Sequence, residues 1–372
     1  MTLAPSSAGL EGRKLLIAGG GTGGHVFPAL SVAAEWLGRS GPAEEKREVV
    51  IVGTQQGLEA KLVPLAGLPL ETIRAAGLKG IHGARLLHNA AMLLPGLWDS
   101  GKILRRHRFA AAFGVGGYAS GPMLLLATLR GIPTVVFEPN VEPGFTNRVL
   151  GEMATRVATA FADPDRRFGS RAVVTGCPVR REFFDAPERA HRAPFRLLIT
   201  GGSRGALPIN RAVVDALDLL AARKNELFIV HQTGERDYNA VRVAYARREL
   251  QAEVSPFIEN MAERFAQADL IVCRSGAITV AEIAAAGRAA IFIPFAAATD
   301  SHQLRNAQAM QAAGAARVLP QDQLTPQRLA KEIFSLLDQP QQVNAMERCA
   351  RSLARPHAAR DIVDLLEGVA RP

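Results

Sequence analysis

The chain has 372 residues, 48% of them hydrophobic and 21% charged. That composition excludes a disordered or fibrous chain and leaves room for two domains of ordinary size. A net charge of +9 raises nucleic acid as a partner, but the basic residues are scattered and only 6% of residues are aromatic. With no helix-turn-helix, zinc or RNA-stacking signature, no nucleic acid is expected, and the charge suits an anionic lipid surface or a phosphorylated substrate. Cys177, Cys273 and Cys349 have neither pairing nor metal-ligand spacing and read as reduced thiols. Cys273, inside the apolar run Leu270–Cys273, reads as a buried small hydrophobe rather than a nucleophile.

Residues 1–10 lack the charged start and apolar core of a secretory leader, so none is expected. The first element is a strand, Lys14–Ala18, running into the turn Gly19-Gly20-Gly21-Thr22-Gly23-Gly24 and then His25. Glycines let the backbone turn tightly, and the helix start that follows offers N–H groups and a partial positive charge to an anion. Pro28 is expected near the start of that helix, where its missing N–H costs nothing. A strand at Val49–Val52 ends in Gly53-Thr54. The segment Lys79–Arg108 mixes Leu86, Leu87, Met92, Leu93, Leu94, Leu97 and Trp98 with Lys102, Arg105, Arg106 and Arg108. It reads either as an amphipathic helix covering a sheet or as a membrane-surface patch. The window Ala110–Leu129 carries no charge and is long enough to span a bilayer. Gly114, Gly116, Gly117, Gly121 and Pro122 interrupt it, so a strand at Ala110–Val115, a glycine loop and a helix are expected instead.

Strands follow at Thr134–Glu138 and Arg171–Thr175, and the charged, proline-rich stretch Arg180–Pro194 reads as a linker. The second half repeats the opening device: Arg196–Thr200 runs into Gly201-Gly202-Ser203-Arg204-Gly205, with Pro208 at the next helix start. Further strands are expected at Leu227–Gln232, Glu253–Pro256, Leu270–Cys273 and Ala290–Pro294, and a last helix from about Pro356. Strands alternating with helices predict an α/β protein with two parallel sheets, each covered on both faces.

Gly19, Gly21 and Gly24 formally spell G-x-G-x-x-G, yet no acid ends the second strand to hold a dinucleotide ribose. Neither half carries the Lys-Ser/Thr ending of a P-loop. His25 closes the first turn and reads either as a general base or substrate contact, or as a helix-capping residue. A third strand–loop–helix junction, Cys273–Glu282, can receive a diphosphate, and Glu282 can accept two hydrogen bonds from ribose hydroxyls or serve only the helix dipole. Asp163-Pro164-Asp165 spells the D-x-D of metal-dependent sugar transferases, but no further ligand joins it, and neither metal nor cofactor is expected.

Together these residues resemble the MurG family of peptidoglycan N-acetylglucosaminyltransferases, which convert lipid I to lipid II. The blocks are Gly20–Pro28, Gly114–Pro122, Glu138-Pro139-Asn140 with Gly144–Arg148, Gly176–Arg180, Gly201–Ala206, Cys273–Gly287 and Asp300–Gln303 with Asn306-Ala307. The resemblance implies a GT-B fold: Rossmann-like domains at 1–180 and 181–355 facing across a cleft, with the helix at 356–372 returning to the first. It implies UDP-N-acetylglucosamine as donor, with Ser203 by the diphosphate, Ile258 by the uracil and Glu282 by the ribose. Gly276, Ala277, Ile278 and Thr279 would line the donor site, His302 and Gln303 would meet the sugar, and Thr22, Gly23, Gly24, Asn140 and Arg180 would close over it. The acceptor, muramoyl-pentapeptide on undecaprenyl diphosphate, would meet the N-terminal glycine loops at the cytoplasmic face of the membrane. Arg204 stands where the family often has glutamine, and His302 where some members have glutamine.

The implied chemistry is a single inverting displacement in which the acceptor C4 hydroxyl attacks the anomeric carbon as UDP departs. His25 is the expected base and Glu138 the reserve. Helix N-termini and arginine would meet the charge growing on the diphosphate. The rivals are a UDP-sugar epimerase or another UDP-sugar glycolipid transferase on the same scaffold, and a binding-only protein.

Overall fold

The computed structural model describes residues 14–39, 46–75, 93–162, 167–188, 191, 193–295 and 301–370. The D-x-D string at 163–165, residues 79–92 of the amphipathic segment, residues 189, 190 and 192 of the linker, and Asp300 lie outside the described residues. Two compact units divide the chain: Met1–Pro139 with Pro143–Val179 and His357–Pro372, and Asn140–Glu142 with Arg180–Pro356. Both are Rossmann-like. Asn140 and Arg180, from the edges of the N-terminal half, pack with the second unit.

The first unit holds a seven-stranded parallel sheet in the order β3-β2-β1-β4-β5-β6-β7. Its strands are β1 (Lys14–Gly19), β2 (Glu48–Gly53), β3 (Leu70–Thr72), β4 (Ala111–Gly116), β5 (Thr134–Glu138), β6 (Arg156–Thr159) and β7 (Ala172–Val174). Its helices are α1 (Gly23–Gly38), α2 (Glu59–Leu65), α3 (Leu93–Arg106), α4 (Ser120–Leu129), α5 (Phe145–Met153) and, from the chain's end, α13 (Ala358–Ala370). Leu16, Ala18, Val50, Val52, Ala112 and Met123 belong to the core between sheet and helices. Burial on both faces is what makes β1, β2 and β4 continuous apolar runs. α13 packs on α1 and β4. Arg39 pairs with Asp364 at 2.6 Å, and Arg47 with Glu367 at 2.6 Å.

The second unit holds a six-stranded parallel sheet ordered β10-β9-β8-β11-β12-β13. Its strands are β8 (Phe195–Thr200), β9 (Leu227–Gln232), β10 (Ala252–Ser255), β11 (Leu270–Cys273), β12 (Ala289–Phe292) and β13 (Ala316–Val318). Its helices are α6 (Leu207–Ala221), α7 (Tyr238–Ala246), α8 (Met261–Gln267), α9 (Ala277–Ala286), α10 (His302–Ala312), α11 (Pro326–Leu337) and α12 (Pro340–Ser352). Cys273 is fully inside, where burial pushes its thiol pKa up and leaves no nucleophile.

Three strands were not anticipated from the sequence: β3, β6 and β13, each of three or four residues. The expected strands are otherwise present, with ends shifted by one or two residues. Pro28 corrects a second expectation. It lies inside α1, past the first turn, so the helix forgoes the bond its N–H would have made to Gly24. The charge-free window resolves into β4 and α4, and among the described residues no helix is long and apolar enough to cross a membrane.

Candidate functional site

In each sheet the strand order reverses once, between β1 and β4 in the first unit and between β8 and β11 in the second. Ligands of open α/β sheets bind beyond the carboxyl ends of the strands at such a reversal. In this chain both reversals carry the glycine turns picked out above.

In the first unit the turn after β1 meets the turn after β4. Gly19, Gly20, Gly21, Gly116 and Gly117 all have positive φ. A Cβ on Gly117 would fall 2.3 Å from the Gly20 carbonyl oxygen, and one on Gly116 would fall 3.0 Å from the His25 ring. Only glycine permits two turns to nest this closely. Thr22 caps α1 in extended conformation, followed by Gly23, Gly24 and His25 in the first turn. His25 Nδ1 lies 2.9 Å from the Gly20 carbonyl oxygen and 3.3 Å from Thr22 Oγ1. A carbonyl can only accept, so Nδ1 carries the proton and Nε2 keeps its lone pair. Burial lowers the His25 pKa, opposed by the Gly20 bond and the charge of Glu59, so the ring is neutral at pH 7. That is the state a general base requires.

Glu138 ends β5 and is 1% exposed. Its Oε2 accepts from Gly144 N at 3.1 Å and from Asn147 Nδ2 at 2.9 Å, so it closes its own loop. Ser120, at the start of α4, is fully buried and its hydroxyl finds no partner among the described residues.

In the second unit the turn Gly201–Gly205 leaves Ser203 and Arg204 exposed. Gly202 and Gly205 have positive φ, and a Cβ on Gly205 would fall 1.9 Å from the Thr233 carbonyl oxygen. Gln232 donates to the Gly202 carbonyl at 2.9 Å and accepts from Ile258 N at 2.8 Å, tying Ile258 to the turn. Beyond β11, Gly276 caps α9, which carries Ala277, Ile278, Thr279 and Glu282. Burial raises the Glu282 pKa to about 7 against the charge of Arg180, whose guanidinium stacks on Phe183 at 5.1 Å. Ser275 Oγ donates to the Gln303 carbonyl, and Gln303 Oε1 accepts from Phe295 N. Asn306, fully buried, donates to Asn140 Oδ1 and Ser275 O and accepts from Val141 N. Hence Asn140, Ser275, Gln303 and Asn306 form one knot at the start of α9 and α10, with Gly276 and His302 next to it in sequence.

Sequence reasoning gave no role to Glu59, Gln232, Arg274 or Asn306, although Arg274 and Asn306 stand in blocks of the family resemblance. Arg274 donates to the Ile293 and Pro294 carbonyls and lies over Phe295. Glu59 sits beyond the end of β2, where a dinucleotide fold keeps its ribose acid, but its oxygens are taken by the protein's own backbone. The glycines at 53 and 57 were the signal for it. Among the described residues no cluster of His, Cys, Asp and Glu is fit to hold a metal.

Residues 15–159 match the glycosyltransferase family 28 N-terminal domain, and residues 196–365 match the C-terminal domain of that family. The chain is 44% identical over 356 residues to the UDP-N-acetylglucosamine–N-acetylmuramyl-(pentapeptide) pyrophosphoryl-undecaprenol N-acetylglucosamine transferase of Myxococcus xanthus, covering 95% of this chain and 92% of the relative. The crystal structure of MurG from Acinetobacter baumannii superposes with a TM-score of 0.79 at 35% identity, covering 96% of this chain and 99% of that one. A UDP-GlcNAc 2-epimerase from Neisseria meningitidis, bound to UDP-GlcNAc, has a TM-score of 0.67 at 13% identity, covering 96% of this chain and all of that one. That likeness is one of fold.

Proposed function

This chain belongs to the MurG family within glycosyltransferase family 28, and we propose that it moves N-acetylglucosamine from UDP-N-acetylglucosamine to the C4 hydroxyl of undecaprenyl-diphospho-muramoylpentapeptide, lipid I, making lipid II for peptidoglycan. The observation that carries the reading is the 44% identity to a transferase of that name along nearly the whole chain. The geometry supplies a chemistry to match it.

His25 is the base. Its neutral Nε2 takes the C4 proton as the hydroxyl oxygen bonds to the anomeric carbon and the bond to the UDP oxygen breaks, inverting the centre. Gly276, Ala277, Ile278 and Thr279 line the donor site, Glu282 accepts from the ribose hydroxyls, and Ile258 borders the uracil. Ser203 and its turn meet the diphosphate, while Arg204 adds a cation beside it. Gln303 and His302 contact the sugar, and Asn140 and Arg180 complete the donor contacts within the second unit. No metal is needed: peptide N–H groups and arginine meet the charge that grows on the leaving group. Glu138 holds its loop and is left in reserve as a base. The acceptor diphosphate meets the glycine turns of the first unit, where the start of α1 offers unpaired N–H groups.

The enzyme works as a peripheral protein on the cytoplasmic face of the cell membrane. Support comes from α3, where Leu94 and Trp98 are 74% and 59% exposed and Lys102 lies over the Trp98 ring, next to exposed Arg105. Co-sedimentation with anionic vesicles at low salt, reversed by high salt, is expected, and no co-sedimentation at low salt refutes the membrane role. Radiolabelled donor incubated with and without lipid I separates the readings. Label in the lipid product supports transfer; a rearranged free sugar nucleotide means epimerisation; neither product means binding alone.

A further inference from the structure

Glu59 opens α2 and is 1% exposed. Its carboxylate accepts from Gly21 N at 2.6 Å, Thr54 N at 2.9 Å and Thr54 Oγ1 at 2.9 Å. All of these partners are donors, the pattern that an ionised carboxylate satisfies. Around it stand Gly20, Gly53 and Gly57, where a Cβ would fall 2.2, 2.4 and 2.0 Å from Glu59 side-chain atoms. Glycines drawn from the ends of β1 and β2 and from the approach to α2 therefore make the room the carboxylate occupies. An acid buried without such donors would be costly, so the cradle and its occupant form one device. Its output is the Gly20–Gly21 peptide: the N–H of Gly21 points at Glu59, and the carbonyl of Gly20 receives the His25 Nδ1 proton.

We propose that Glu59 is the positioning residue of the general base: by fixing the Gly20–Gly21 turn it sets the Nδ1–H tautomer of His25 and leaves Nε2 to take the acceptor proton. This rests on the reading of His25 as base. The carboxylate has a second effect on the same ring. Its negative charge raises the proton affinity of His25 against the burial that lowers it. As the acceptor oxygen bonds to the anomeric carbon, UDP leaves with the electron pair of the broken bond and the proton passes to Nε2. The imidazolium so formed has a fixed negative charge nearby.

The test uses the full chain with nitrogen-15-labelled histidine, the His25 signals being assigned by their loss in His25→Gln. In the unaltered protein His25 is expected as the Nδ1–H tautomer; a proton resident on Nε2 overturns the proposal without any variant at Glu59. Glu59→Gln sets an amide donor against backbone donors and is expected to shift the tautomer and lower kcat about ten- to a hundredfold, by analogy with the outer-shell partners that orient metal-ligating histidines. UDP affinity by calorimetry should stay within twofold, which a general loss of folding would not allow. Retained Nδ1–H tautomer with kcat within twofold refutes the proposal. Should Glu59→Gln not fold, Thr54→Val removes one of the three bonds and is expected to lower kcat severalfold in the same direction; unchanged kcat and tautomer there count against it. If His25→Ala keeps full turnover, the base reading fails by itself, and the tautomer of the unaltered protein still decides what Glu59 does.

Discussion

The two glycine turns look alike in sequence and are braced by opposite means. The turn after β1 is held by the carboxylate of Glu59, while the one after β8 is held by the neutral amide of Gln232 and the hydroxyl of Thr200. The difference follows from what each turn faces in the proposed reaction. A negative charge next to His25 supports the imidazolium that forms during proton transfer. The same charge beside Ser203 would repel the donor diphosphate, at a distance where low dielectric leaves the repulsion poorly screened. An amide supplies the same bracing without that penalty.

His25→Ala tests the first half of this contrast and carries the largest expected effect. Loss of a general base typically costs roughly a hundredfold or more, so kcat should fall that far while UDP affinity, which the proposed reading assigns to the second unit, stays nearly constant. Gln232→Glu tests the other half by placing a carboxylate under the donor turn. The dissociation constant for UDP is expected to rise on the order of tenfold or more, with little change in the acceptor KM. Unaltered UDP affinity in calorimetry would remove the electrostatic reason for the amide. Glu282 sharpens the contrast further, because its carboxyl titrates at about 7. In the proposed ribose role only the ionised form accepts from both hydroxyls, so UDP affinity should be full above pH 7 and weaken as pH falls through it. Glu282→Gln should bind UDP more weakly and without that pH dependence; a dependence that persists assigns it to another group.

How much of this was legible in the sequence varies with the kind of residue. β1, β4, β8 and β11 were readable because strands buried on both faces must be apolar throughout. The short strands β3, β6 and β13 were not, since Leu70–Thr72, Arg156–Thr159 and Ala316–Val318 are polar or exposed in part and owe their conformation to the neighbours they pair with. His25 and the glycines announced themselves because a turn that admits a ligand can use few other residues. Glu59, Gln232 and Asn306 act by hydrogen-bonding backbone far away in sequence: Glu59 reaches back 38 residues to Gly21, and Asn306 reaches 165 residues to Val141. No local pattern encodes such a reach. Gly53 and Gly57 are the trace that Glu59 leaves, since a Cβ on either would collide with its side chain, and no local pattern ties them to it. Pro28 misled for a related reason, as its fixed φ suits a helix start but is also tolerated inside α1 once tertiary packing holds the helix.

A second buried cluster of charge completes the comparison. Asp269, just ahead of β11, accepts from Arg196 N and from His191 Nδ1 at 2.8 Å, while His191 Nε2 lies 3.2 Å from Glu347. Arg288 joins Glu347 and donates to the carbonyls of Phe265, Ala266 and Pro187. This cluster sits at the amino ends of β8 and β11, away from the carboxyl ends where the turns lie, so its contribution is to stability and not to turnover. Bonds to Asp269 and then Glu347 raise the His191 pKa to about 9. A histidine whose folded pKa exceeds its unfolded value of about 6.5 stabilises the fold fully below that value, and the contribution disappears as pH rises through about 9. At 1.36 kcal/mol per unit, the ceiling of the loss is about 3 kcal/mol. Denaturant unfolding should show stability dropping between pH 6.5 and 9 in the unaltered protein, and a flatter profile in His191→Gln from a lower starting point. kcat of His191→Gln, measured at pH 7 where both proteins are folded, should match the parent. A fall in kcat with the stability profile unchanged would tie the cluster to turnover and undo the division of labour between the two ends of the strands.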